Sequence, residues 1–325
     1  MRRREFITLV GGAAAWPLAA RAQQPMPVIG FLALTSPEAF APEVAAFRRG
    51  LGELGYVEGR NLTLEFRWAR GGFERLPSLA TDLVSRGVDV IAALGTPASA
   101  LAAKAATTTI PIVFVTGADP VRLGLVASLN RPGGNATGIY MLTSSLEAKR
   151  LELLHEAVPA AAAIGVIVDP NSPDTEFQLR EMAEAAPQLG PRIKILQAAT
   201  DNDITAAFAA VAEQRMEALL VGSSPNYRPR EQQIVALAAR HAVPTIYSFR
   251  GFSEAGGLMS YGTDLADAYR QAGVYAGRVL KGEKSTDLPV LQSTKVEFVI
   301  NLKTAKSLGL AFPLPLLGRA DEVIE

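Results

Sequence analysis

Continuous apolar runs alternate along this chain with helical stripes. Residues 28–34 are almost unbroken apolar sequence, as a strand buried on both faces of a parallel sheet should be. The next stretch spaces Phe40, Val44, Phe47, Leu51 and Leu54 by threes and fours, one apolar face of a helix, with Gly55 placed to end it. Residues 62–68 alternate instead and predict a half-exposed strand. Leu76, Leu79, Leu83 and Val84 predict a second helix closed by Gly87, followed by a strand at 88–94, a helix at 98–106 and strands at 112–115 and 136–140. The rhythm resumes with strands at 164–168, 193–196, 218–221 and 245–247, and helices near 175–184, 204–214 and 231–241. Such alternation predicts an α/β fold of parallel sheets with helices on both faces.

The start of the chain breaks the rhythm. Arg2, Arg3 and Arg4 precede an apolar stretch at 8–20, and Ala20-Arg21-Ala22 puts small residues where a signal peptidase reads. This is the layout of a secretory signal, and Arg3-Arg4 before Phe6 fits its twin-arginine variant. The apolar stretch is shorter than the roughly 20 residues of a spanning helix, so the expectation is a leader at 1–22 and a periplasmic protein beginning near Gln23, with no membrane insertion after cleavage. The whole chain carries 32 basic and 32 acidic residues. Without Arg2, Arg3, Arg4, Arg21 and Glu5 the remainder has 28 basic against 31 acidic, which argues against a nucleic-acid partner. The absence of cysteine excludes a disulfide, a thiolate zinc site and a cysteine nucleophile. With 325 residues less the leader, two domains are expected.

One local pattern recurs where strands end. A residue able to cap a helix stands before proline at Ser36-Pro37, Thr96-Pro97, Asp119-Pro120 and Ser172-Pro173, and more loosely at Ser224-Pro225. Each is a sound helix start, since the cap satisfies a free N–H and proline has none to waste. In open parallel sheets ligands also bind beyond the carboxyl ends of strands, where helix N-termini suit a carboxylate or phosphate. Three of these turns precede residue 130 and two follow residue 165, so two similar lobes facing one cleft are expected. Catalytic constellations are missing. His155 and His241 read as surface or cap residues without placed partners. No Gly-x-Gly-x-x-Gly follows the first strand, and neither a P-loop nor a Gly-x-Ser-x-Gly elbow occurs, so no cofactor is expected. Asp264 and Asp267, three apart at a helix start, favour capping over metal binding.

Five longer motifs add a resemblance: RPGGNATG at 131–138, EAGGLMSYG at 254–262, LPV at 288–290, VINLKTAK at 299–306 and RADEVIE at 319–325. In this order they resemble the ABC-transporter substrate-binding proteins of the tryptophan/tyrosine type. The resemblance implies the type I periplasmic binding protein architecture, with two Rossmann-like lobes joined by three crossover hinge segments. It divides the chain into 23–141 plus 263–283 for lobe one and 142–262 plus 284–325 for lobe two, with hinges near 141–143, 261–263 and 283–286. It also implies a monomer that is not an enzyme, working with the membrane permease and ATPase subunits of an importer. Strand ends and family layout together nominate Thr35, Ser36, Thr96, Ser99 and Asp119 from lobe one. From lobe two they nominate Asn171, Asn226, Tyr227 and Ser248. Thr96 and Ser99 would hold a carboxylate, Asp119 an amino group, and Tyr227 would stack on the ligand. The ligand is expected to be a small carboxylate or an amino-acid-like, aromatic molecule. A ligand-sensing module and an exported Rossmann-like enzyme stay open as alternatives.

Overall fold

Six strands form the first sheet of the computed structural model, which describes residues 26–325 apart from Pro173. The expected leader lies outside the described residues. The order is β11-β5-β4-β3-β1-β2, and every neighbouring pair is parallel. These strands are β1 (Val28–Ala33), β2 (Thr63–Trp68), β3 (Val90–Leu94), β4 (Ile112–Thr116), β5 (Ala136–Met141) and β11 (Leu291–Ser293). The second sheet runs β13-β12-β10-β9-β8-β6-β7. It consists of β6 (Ala163–Val168), β7 (Arg192–Gln197), β8 (Ala218–Val221), β9 (Thr245–Tyr247), β10 (Met259–Thr263), β12 (Val296–Asn301) and β13 (Glu322–Ile324). Only β10 and β12 pair antiparallel there. Both sheets place their first five strands in the order second, first, third, fourth, fifth, so the two lobes repeat one topology.

The apolar runs are explained by burial on two faces. Ile29, Phe31 and Ala33 of β1 join one core cluster, while Leu32 and Leu34 join another on the opposite side. In β6, Ile164, Val166 and Val168 face one way and Ile167 the other. The strands that alternate in sequence, β2 and β7, are sheet edges.

The helices are α1 (Ala41–Glu53), α2 (Leu76–Ser85), α3 (Pro97–Ala106), α4 (Glu147–Ala157), α5 (Thr175–Leu189), α6 (Asp201–Glu213), α7 (Glu231–Arg240), α8 (Arg250–Glu254), α9 (Leu265–Leu280) and two short ones near the end. Among the described residues no helix is long and apolar enough to cross a membrane. After β10 in the second sheet, α9 returns to pack on α1 of the first. Two glycines permit that contact. A Cβ on Gly50 would lie 1.9 Å from the Arg270 carbonyl oxygen, and one on Gly273 would lie 2.1 Å from that of Phe47. Gly50→Ala is therefore expected to destabilise by about 1–3 kcal/mol through overpacking, despite the better helix propensity of alanine. Chemical denaturation that shows the variant as stable as the parent would mean the helices can separate at no cost.

The last crossover departs from the expected map. Residues 284–293 lie with lobe one rather than lobe two. β11 pairs in parallel with β5, the Thr137 hydroxyl donates to the Leu288 carbonyl at 2.7 Å, and the Val290 N–H donates to the Leu129 carbonyl. Leu288 and Val290 are also needed in lobe-one cores. The chain thus leaves the first sheet after Ser293 and enters the second at Val296, later than the expected hinge at 283–286.

Candidate functional site

The ends of the parallel strands of both lobes meet along one seam. Leu34 and Thr35 after β1, Gly95 and Thr96 after β3, and Met141 at the end of β5 line its centre from lobe one. Phe40 and Tyr269 join them. Pro225 and Arg228 after β8 and Phe249 after β9 close it from lobe two. Phe40 and Tyr269 meet edge to face, centroids 5.2 Å apart. Gly95 (φ 94°) carries the chain past both: a Cβ there would lie 3.0 Å from the Phe40 ring and 3.3 Å from the Tyr269 hydroxyl. The central space is narrow, about 30 Å³, room for roughly two waters. Wider cavities flank it along the seam. One of about 320 Å³ is lined by Thr35, Ser36 and Arg70 opposite Asp201, Asn226 and Arg230. A second of about 350 Å³ holds Glu43, Arg228, Arg250, Asp264 and Glu297. A third of about 350 Å³ holds Asp119, Arg122 and Tyr140 opposite Asp174 and Phe177.

The sequence-nominated residues divide unequally over this seam. Thr35 lines both the centre and the first flank, and its buried hydroxyl has no hydrogen-bond partner. Ser36 lines the flank and its Oγ accepts from the Ala39 N–H. Thr96 lines the centre and caps α3 by accepting from the Ser99 N–H at 3.1 Å; the Ser99 hydroxyl, fully buried, bonds to Thr96 Oγ1. Asn226 faces the first flank, held by Asp169, which accepts from both the Asn226 amide and the Ser224 hydroxyl at 2.8 Å. Asp119 lies in the third cavity, away from the centre, with Oδ1 accepting from the N–H groups of Val121 and Arg122. Ser248 is buried at the end of β9 and lines none of these cavities, and Asn171 is exposed. Tyr227 is not a stacking surface. It is 1% exposed in the core of lobe two, and its hydroxyl donates to the Ala198 carbonyl at 2.7 Å.

The cap-proline turns behave differently as well. Thr96-Pro97 starts an α-helix at its proline, whereas α1 begins later, at Ala41, and Asp119-Pro120 forms a turn; Pro173 lies outside the described residues. Ser224-Pro225 opens a single 3-10 segment, Pro225–Arg230, with the Ser224 Oγ accepting from Asn226 N–H. Asp264 does cap α9, accepting from the Asp267 N–H at 2.9 Å. Its carboxyl is held low: the Lys295 ammonium and that N–H outweigh the effect of burial.

Two features lay beyond the sequence reading. Glu43, 3% exposed in the first turn of α1, pairs with Arg228 at 2.7 Å across the seam, and the Arg228 guanidinium lies over the Phe249 ring at 5.4 Å. Glu43 and Arg228 thus form an ion pair made across the seam by side chains of the two lobes. Behind the seam, Arg150 and Glu147 of α4 are both fully buried and pair at 2.6 Å. Arg150 Nε donates to the Tyr261 carbonyl at 2.7 Å and Nη2 to the Thr143 carbonyl at 2.8 Å, and Glu147 accepts from the Ser223 N–H. One buried pair thus ties two crossovers to the loop that carries Pro225 and Arg228.

Two lobes of repeated topology thus face a shared seam lined by both. Residues 28–324 match the family described as ABC transporter substrate binding protein. The chain belongs to that family. Its fold is the type I periplasmic binding protein architecture, and the family is one of substrate-binding proteins, not enzymes. Membership gives the chain a small-molecule ligand and an ABC transporter as partners. A tyrosine-binding protein of Clostridioides difficile is 31% identical over 265 residues, 81% of this chain and 75% of that protein. An ABC domain from Streptococcus pneumoniae in complex with L-Trp is similar in fold, with TM-score 0.83 and 24% identity over 92% of this chain and 99% of that one. A substrate binding protein with adhesive properties from Clostridium difficile, in a ligand-free, open structure, gives TM-score 0.69 and 26% identity over the same shares.

Proposed function

We propose that this chain is the solute-binding component of an ABC importer, monomeric and periplasmic after removal of a leader at 1–22. Its ligand is a small amino acid or related carboxylate with an aromatic side chain, held in the seam. The observation that carries this reading is the central lining. Phe40 and Tyr269 of lobe one stand opposite Phe249 of lobe two, beside the N-terminus of α3 and the unbonded Thr35 hydroxyl. Aromatic faces suit an aromatic side chain, and the helix terminus suits a carboxylate. The tyrosine-binding relative supports the class of ligand. The narrow central space then requires hinge opening to admit the ligand.

A thermal-shift series with L-tyrosine, L-tryptophan and simple carboxylates tests the reading. A ligand at one hundred times its dissociation constant adds about 2.7 kcal/mol. Stabilisation by an aromatic amino acid is expected, and no response to any of the series would overturn the proposal. The double change Thr96→Ala and Ser99→Ala is expected to weaken binding at least about tenfold by removing hydroxyls and a cap from the carboxylate's surroundings. Unchanged affinity would put the carboxylate elsewhere.

A further inference from the structure

The cavity beside Arg228 is acidic beyond what its own cations offset. Glu43, Glu254, Asp264 and Glu297 face it, against the guanidinium groups of Arg228 and Arg250. Each cation is already committed: Arg228 to Glu43 at 2.7 Å, Arg250 to Glu254 at 2.6 Å, and Lys295, from the edge, to Asp264 at 2.6 Å. These cations are shared with further carboxylates, Arg250 with Glu297 at 3.8 Å and Glu322 at 2.6 Å and Arg228 with Glu231 at 3.5 Å, so negative charge exceeds positive in a partly dry space, where that is costly. Burial, and then Asp264 beside it, push the Glu297 carboxyl up.

Two independent observations mark where a ligand would complete the set. Glu43 is 3% exposed, and while its Oε1 meets Arg228, its buried Oε2 has no hydrogen-bond partner. Thr263, 5% exposed on the same wall, also has a buried hydroxyl without a partner. Both atoms can accept a hydrogen bond, and none of the described residues supplies the donor. Arg228, Phe249 and Leu265 line this chamber and the central space alike, so a molecule in one reaches the other.

We propose that this chamber receives the ligand's positively charged amino group, with Glu43 as its direct partner and Thr263 as a second acceptor. The proposal rests on the reading above of an amino-acid-like ligand whose carboxylate lies near the start of α3. It makes the seam select a zwitterion over the corresponding acid, and it places the amino group at Glu43 rather than at Asp119, whose carboxylate is taken up by its own turn.

Calorimetric titration of the parent and Glu43→Gln with L-tyrosine, its des-amino analogue hydroxyphenylpropionate, and tyramine tests it. Glutamine keeps an oxygen for Arg228 while removing the charge. The parent is expected to prefer L-tyrosine over the des-amino acid by at least about tenfold, the equivalent of one charge-assisted hydrogen bond. Glu43→Gln should erase that margin through weaker tyrosine binding alone. A variant that weakens both acids equally would make Glu43 a mere link between lobes, and an intact margin would place the amino group elsewhere; either overturns the proposal. Tyramine, which lacks the carboxylate, separates this from the functional reading. If neither acid binds the parent, that reading of the ligand fails, whereas tyramine binding abolished by Glu43→Gln still upholds the chamber. No response to either amine overturns it. Thr263→Val removes a chamber acceptor without touching Arg228 and should narrow the same margin, so it decides the matter even if Glu43→Gln does not fold.

Discussion

Arg150→Met is expected to cost about 3–5 kcal/mol of folding stability, the usual penalty for stranding one member of a buried ion pair. Glu147 and Arg150 are both fully buried, so no water can take over the lone carboxylate. The carbonyls of Thr143 and Tyr261 would lose their donor at the same time. The double change Glu147→Gln and Arg150→Met leaves no buried charge, and the glutamine still accepts from the Ser223 N–H, so it should regain the part of that stability due to the stranded charge but not the part due to the two carbonyls. It should still bind ligand more weakly than the parent, because two crossovers no longer share one donor with the loop that carries Arg228. Denaturant titration measures the first effect and calorimetry the second. A double variant as unstable as the single one would show that Arg150 contributes through packing and its two carbonyl hydrogen bonds, not through charge.

The fold was legible in the sequence where burial is two-sided. Runs such as those in β1 and β3 are apolar on both pleats, and their shortness and alternation with helical stripes point to a covered parallel sheet. β11 and β13 were not legible, because both are short edge strands partly open to solvent and show no apolar run, whereas β9, equally short, is fully buried. Leu291, Gln292 and Ser293 become a strand only because Thr137 and Leu129 hold the preceding residues against β5. The late return to the second sheet followed from that and could not be placed by pattern alone.

The candidate site was legible where one residue acts on its own neighbours. Thr96 and Asp264 announce themselves as caps within three residues, and the structure uses both so. Side chains assembled across the seam gave no such signal. Phe40 looked like one more apolar position of a helical face, and Tyr269 lies inside the helix that returns to lobe one. Glu43 in a first turn reads as a complement to the helix dipole until Arg228 arrives from the other lobe. Tyr227 misled for the converse reason. Its position beside Asn226 suggested the cleft, but a phenol hydroxyl that finds the Ala198 carbonyl can be buried without penalty, and the ring then serves the core.

Asp174→Asn is expected to stabilise the protein at pH 8 and to do little at pH 4. Asp174 precedes α5 on lobe two and faces the third cavity of the seam, near Tyr140 and Phe177. Burial pushes its carboxyl from 3.8 up to about 6. The Arg122 and Arg180 guanidinium groups lie over the Phe177 ring. A carboxyl whose folded value is raised holds its proton longer than the unfolded chain does. The folded state is therefore favoured below pH 3.8, loses that advantage as pH climbs towards 6, and carries the full cost of a buried charge above it. A shift of this size corresponds to at most about 3 kcal/mol. Asparagine has no charge to bury, so the gap in stability between variant and parent should open between pH 4 and 6 and stay open above. In the proposed hinge motion this cavity would open, so hydration of Asp174 should also make closure on a ligand easier at pH 5 than at pH 8 in the parent, a difference absent from the variant. Denaturant titrations at pH 4, 6 and 8 decide the first point. A gap that is constant across pH would mean the Asp174 carboxylate is already solvated with the lobes together.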